Sequence, residues 1–193
     1  MDIIKVRLTG TRPLLMHSPL YVNMFDPRTK AHKALGNITN KTTDEAAKTI
    51  QQSQWRGALY FDEELGPYIP SDNLEAVIKN GASFDRKGKD IRRYMEVVEQ
   101  CVPLIYKGPR TIEGLWDDGN FIDVRFANNP STRGKVTAVR PIFREWQLEF
   151  TIAYQAEGLN RDALIKYLTK GGEVEGIGDY RPKFGRFSVE VLS

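Results

Sequence analysis

The sequence predicts an α+β protein of the ferredoxin-like (RRM-like) type: a β-α-β-β-α-β core with extra β-hairpin strands and an inserted arm. Three observations lead there. Residues 3–9 alternate, with Ile4, Val6 and Leu8 on one face and Lys5 and Arg7 on the other, the period-two pattern of a half-buried strand. Two later segments carry a helical apolar stripe behind a capping residue. Most of what lies between and after them reads as strand, ending on the alternating run Phe187–Leu192.

Taken in order, the first strand is followed by the turn Thr9-Gly10-Thr11-Arg12-Pro13 and the short apolar piece Leu14-Leu15-Met16. From His17 to about Asn40 the chain looks irregular, and so long an unpatterned stretch is expected to be an inserted loop. Thr43-Asp44-Glu45 signals a helix start, which makes residues 17–55 a loop-and-helix arm within one domain spanning 1–193. Ala58–Phe61 reads as a strand and Asp62–Gly66 as a turn. A helix then opens with Ser71 or Asp72 as N-cap and buries Leu74, Val77, Ile78 and Ala82. Strands are expected at Val97–Tyr106, Phe121–Phe126, Val136–Phe143 and Trp146–Tyr154, with Arg144-Glu145 as a tight turn or a bulge. A last helix covers Leu159–Leu168, with Asn160 or Asp162 near its start and Gly171-Gly172 ending it.

Composition narrows the partners. The 193 residues are 40% hydrophobic and 27% charged, enough for a packed core under a solvated surface. Twenty-eight basic against 25 acidic residues leave a net charge of only +3, so attraction for phosphates has to come from local clustering. The single cysteine, Cys101, excludes an internal disulfide and fits a reducing cytoplasm; its apolar neighbours suggest a buried hydrophobe. The first residues read as a strand and not as a signal peptide, and no apolar run is long enough for a membrane helix. A cytoplasmic protein without membrane contact is the expectation.

Two segments carry the chemistry. In Glu175–Phe187, glycines at 176, 178 and 185 allow close approach of the backbone to another molecule. Arg181, Lys183 and Arg186 offer cations to phosphates there, and Tyr180 and Phe184 offer faces for base stacking. The competing reading is a turn whose glycines merely permit positive φ. It is not a phosphate-binding P-loop, since no Gly-Lys-Ser/Thr ends it. The second segment holds Lys79, Arg86, Lys87, Lys89, Arg92 and Arg93 against Asp85 and Asp90. Such a run is either a solvated surface or the lining of a groove. A weaker basic patch contains Arg133 and Lys135, with Arg140 further on.

The run Tyr68–Lys79, followed far downstream by a glycine-rich loop, resembles the RAMP superfamily, the ferredoxin-like proteins that form the crRNA-binding backbone of CRISPR effector complexes. There an isoleucine-proline-glycine-serine-serine-leucine-lysine-glycine pattern starts the helix beside the RNA. Ile69, Pro70, Ser71 and Leu74 match it; Asp72, Asn73, Glu75 and Ala76 depart from it. Pro13–Ser18 is similar to the apolar segment that follows the family's first strand. The matching pieces cover about a third of the chain, whose general character is similar to phage and prophage proteins. The resemblance implies a small phage-type RAMP protein and, as partners, CRISPR-type or phage replication and recombination proteins.

Catalytic constellations are missing. His17 and His32, fifteen residues apart, make no zinc-type spacing with the distant Cys101, and no nucleophile motif stands out. Asp26-Pro27 reads as a turn starter; Asp62–Glu64 and Asp117-Asp118 read as solvated turns. Trp116 lies in an expected turn, where it would stack on a base or a neighbouring subunit. The expectation is therefore a non-enzymatic, cofactor-free protein that binds single-stranded DNA or RNA as a homo-oligomer. Lys79, Arg86, Lys87, Lys89, Arg92, Arg93, Arg133, Lys135, Tyr180, Arg181, Lys183, Phe184 and Arg186 would form the interface. The alternatives are a phage-encoded inhibitor acting on a host defence complex, and a metal-independent endoribonuclease using His17 as base.

Overall fold

The computed structural model describes residues 1–35, 43–128 and 135–193, with the backbone alone at 127, 128, 135 and 136. In chain order its elements are β1 (Asp2–Gly10), β2 (Leu14–Leu15), α1 (Pro27–Leu35), α2 (Asp44–Ala58), β3 (Phe61–Asp62), β4 (Gly66–Pro70), α3 (Ser71–Ser83), α4 (Gly88–Tyr94), β5 (Met95–Val97), β6 (Cys101–Pro103), α5 (Ile112–Asp118), β7 (Ile122–Asn128), β8 (Lys135–Phe143), β9 (Gln147–Tyr154), α6 (Arg161–Val174) and β10 (Phe187–Val191). These fall into two compact units. One comprises Met1–Leu15, Phe61–Gly108 and Phe143–Ser193, the other Met16–Tyr60 and Pro109–Ile142.

The first unit is ferredoxin-like. Its main sheet runs β10-β1-β9-β5 and is antiparallel at every pairing. Along the chain the core elements read β1-α3-β5-β9-α6-β10, so the first strand sits between the last and the third. Ile4, Val6 and Leu8 of β1, with Leu148, Phe150 and Ile152 of β9, are buried on one face. α3 contributes the predicted stripe Leu74, Val77, Ile78 and Ala82, all buried, and α6 adds Leu164 and Leu168. The two helices meet backbone to backbone: a Cβ on Gly81 would lie 2.0 Å from the Tyr167 carbonyl oxygen, and one on Gly171 would lie 2.4 Å from that of Val77. Gly171 and Gly172 thus lie inside α6 and do not end it, because close packing requires them there. A smaller sheet, β3-β4-β6, flanks the core; Asp62 Oδ1 closes its β3–β4 turn by accepting from the N–H groups of Glu64 and Leu65.

The second unit packs α2 and α5 through Trp55 and Trp116, whose rings meet edge to face at 5.6 Å. Trp55 Nε1 donates to the Phe121 carbonyl at 2.9 Å. Trp116 is buried in a helix, so the expectation of an exposed turn residue fails there. β7 and β8 form an antiparallel hairpin.

Other departures have local causes. The stretch expected to be irregular contains α1, started by Asp26, whose Oδ1 accepts from the Arg28 N–H at 2.8 Å, with Pro27 as its first residue. Ala58 and Leu59 extend the buried i, i+3, i+4 stripe begun at Trp55, so the chain stays helical to Ala58 instead of entering a strand. The strand expected at Val97–Tyr106 splits into β5 and β6, because the Glu99 carboxylate accepts the Thr151 N–H (2.9 Å) in place of a ladder carbonyl. β8 pairs with β7 while β9 pairs with β1 and β5, which makes Arg144-Glu145 a bend between sheets and not a hairpin turn. Cys101 is only half-buried.

Candidate nucleic-acid interface

The cationic segment begins where α3 ends. The Lys87 N–H donates to the Ala82 carbonyl (2.9 Å) and the Arg86 N–H to that of Ser83 (3.0 Å), the bond pair of a Schellman motif. Arg86 occupies the left-handed position at φ 60°, where glycine is usual. The chain then reverses into α4, which packs along α3. Two carboxylates are consumed here: Asp85 by Lys166 of α6 (2.6 Å) and Asp90 by Lys87 (3.0 Å). The Asp90 partner holds the Lys87 ammonium above its ordinary pKa. Arg86, Lys89, Arg92 and Arg93 are exposed and make no ion pair among the described residues. Lys79 is half-buried in a groove it shares with Asp72, Glu75 and Arg92, a setting of mixed charge.

Phe84 lies at the same corner, 55% exposed, with Lys170 Nζ 5.6 Å from its ring centroid. Seven residues after Val77, it projects within about 20° of a buried position of α3, and it is exposed because the helix ends at Ser83, just before it. The helical period therefore groups it with the core, and sequence reasoning passed it over. Lys166 and Lys170, four residues apart on one face of α6, were likewise missed.

The glycine-rich loop behaves differently. Its backbone packs on its own chain: the Asp179 N–H donates to the Leu15 carbonyl and the Gly185 N–H to that of Pro13, both at 2.8 Å. Gly185, at φ 72°, abuts the Ile177 carbonyl so closely that a side chain has no room. The glycines therefore serve internal packing rather than approach to another molecule. Phe184 is 6% exposed and offers no open ring face, which corrects the stacking expectation at that residue. Arg186 is half-buried with its Nε unpartnered, while its carbonyl accepts from the N–H groups of Thr11 and Arg12. Arg181 and Lys183 are exposed, and Tyr180 is 38% exposed.

The two basic segments join the main sheet at opposite ends, although Glu175, where the glycine-rich segment begins, lines a pocket with Phe84. Arg93 leads into Met95, which is in register with Tyr154 and, through it, with Asp2 at the start of β1. Arg186 leads into Phe187, which pairs with Gly10 at the other end of β1. Eight strand steps separate those ends, about 26 Å. Arg133 lies outside the described residues; Lys135 starts β8 in the second unit, and its side chain is not described.

The face of the main sheet turned away from the helices is a poor platform for bases. On β1 and β9 it carries Ile3, Lys5, Arg7 and Thr9 with Gln147, Glu149, Thr151 and Ala153, and no aromatic residue. Arg7 bridges Glu149 (2.8 Å) and Glu190 (3.0 Å), so much of the charge on that face is internally compensated.

No family model matches the sequence, and neither does any curated protein. Among solved structures, the whole chain aligns with a chain from the cryo-EM structure of the Type III-B Cmr-beta complex bound to cognate target RNA, at a TM-score of 0.44 and 10% identity. The alignment spans 60% of that chain. The ferredoxin-like assignment rests on strand order and helix packing, independently of this likeness.

Proposed function

We propose that this chain is a RAMP-like protein that binds single-stranded DNA or RNA with little sequence preference, assembles as an oligomer and has no catalytic activity of its own. The observation that carries the reading is the α3–α4 corner, where Arg86, Lys89, Arg92 and Arg93 are exposed without ion pairs among the described residues, beside the exposed ring of Phe84. Cations attract the phosphates and an open aromatic face accepts a base of any identity. The junction of β4 and α3 carries the Ile69-Pro70-Ser71 segment that resembles the RAMP helix start, which supports the same ligand class. Exposed Val22, Met24 and Phe25 give the arm an apolar contact surface for a second copy.

Fluorescence anisotropy of a labelled single-stranded oligonucleotide, measured across salt concentrations, tests the proposal. Affinity should fall steeply with salt. Replacing Arg86, Lys89, Arg92 and Arg93 together by alanine should flatten the log–log slope by about 2–3, since each phosphate contact contributes about 0.7. Phe84→Ala should weaken binding about tenfold while leaving the slope unchanged. Binding that ignores ionic strength, or a slope insensitive to the four cations, would defeat the reading.

A further inference from the structure

The second unit contains a cavity of about 420 Å³, within the range of small-molecule sites, and it gathers both histidines of the chain. Its walls come from four separate stretches. The segment after β2 is tied in place by the Ser18 N–H donating to the Ala58 carbonyl at 2.8 Å. Tyr21 lies against Gly57, where a Cβ would come within 2.0 Å of the ring, and its hydroxyl donates to the Ser53 carbonyl at 2.7 Å. His32 of α1 stacks on Tyr21 with centroids 4.2 Å apart and planes 11° from parallel. Its Nδ1 is 2.8 Å from Ser53 Oγ, which is itself 3.2 Å from the Tyr21 hydroxyl. Each proton in this chain is used once if Nδ1–H donates to Ser53 and Ser53 donates to Tyr21, which leaves His32 Nε2 as an acceptor. Burial pushes the His32 pKa down and keeps the ring neutral near pH 7.

The lining chemistry selects a ligand class. Arg140 of β8 supplies a permanent cation, His17 adds a second imidazole, and no carboxylate lines the cavity among the described residues. Tyr21 is stacked on His32 and abuts Gly57, which leaves the outer face of the His32 imidazole as the flat wall of the pair. Gln54 lines the same space, and its Oε1 is buried without a hydrogen-bond partner. An unmet buried acceptor is costly, and a ligand donor reached by turning the terminal amide would recover that cost. An anion, a planar ring and a hydrogen-bond donor in one molecule of this size describe a nucleotide.

We propose that this cavity binds a nucleoside monophosphate, with the phosphate on Arg140 and the base against the outer face of His32. The site is separate from the cationic corner of the first unit and is independent of the proposal made for it. Isothermal titration of the full chain with adenosine monophosphate, adenosine and inorganic phosphate tests it, with the imidazole proton signals of His32 followed by NMR. The monophosphate should bind more tightly than either fragment and shift the His32 signals. Arg140→Ala should weaken the monophosphate about ten- to hundredfold, towards the affinity of adenosine, and leave adenosine itself unchanged. The Arg92→Glu/Arg93→Glu variant should bind it as before. Competition by a short oligonucleotide would assign the site to a nucleotide within a strand, and lack of competition to the free nucleotide. A monophosphate that binds no better than phosphate, unmoved His32 signals, or an Arg140→Ala variant of undiminished affinity would overturn the proposal; the His32 signals of that variant, with no ligand added, show whether the cavity is intact.

Discussion

At the scale of single residues, two positions do work that their residue types do not announce. Arg86 ends α3 in a left-handed conformation that costs a non-glycine residue about 1–2 kcal/mol. Holding a cation there at the expense of stability is the pattern expected of a functional residue. Arg86→Gly should therefore raise the urea midpoint, by about 1 kcal/mol in stability, while lowering oligonucleotide affinity and reducing the salt slope by about 0.7. Asp26 is the second case. Hydrogen bonds from the Arg28 guanidinium and backbone N–H lower its pKa from 3.8 to about 2. A carboxylate with a depressed folded-state pKa stabilises the fold above its ordinary pKa, and that contribution is lost as pH falls towards about 2. NMR titration of the Asp26 carboxyl should give a midpoint near 2. In an Arg28→Ala variant it should move back towards the ordinary 3.8.

At the scale of elements, the α3–α6 contact decides how the core closes. Glycine in a helix interior normally costs about 1 kcal/mol relative to alanine, so Gly171→Ala ought to help an isolated α6. Here the added Cβ would meet the Val77 carbonyl oxygen at 2.4 Å, and backbone cannot swing aside as a side chain can. The expected outcome is a net loss of about 1–3 kcal/mol, read as a lower urea midpoint at unchanged m-value. The strands were more legible than the helices' neighbours. β1 and β10 announced themselves by alternation, and α3 by its stripe at helical spacing. α1 was hidden because its cap, Asp26-Pro27, reads equally well as a turn starter.

At the scale of the whole molecule, separation of the two cationic clusters of the first unit sets the binding stoichiometry. With about 26 Å of sheet between the strand ends they join, an oligonucleotide too short to span that distance should bind at two independent places per chain. One long enough to bridge both should bind once and more tightly, and should lose affinity when either Arg181 and Lys183 or the corner cations are neutralised. Native mass spectrometry across a length series distinguishes these outcomes. A single stoichiometry at all lengths would show that one cluster takes no part.

The sequence by itself determined the ferredoxin-like class, the first and last strands, the face that α3 buries and the exposed basic run after it. Those features depend on period and local charge, which a chain carries wherever it folds. Only the tertiary structure decided that the glycine-rich loop packs inward, that Phe184 is buried while Phe84 is open, and that Lys166 and Lys170 join the corner. It also decided that His17 and His32 share one cavity and that the two basic segments join one sheet at opposite ends. Each of these depends on which strand pairs with which and how closely two helices approach. Such relations arise between residues far apart in the chain, so no local pattern encodes them.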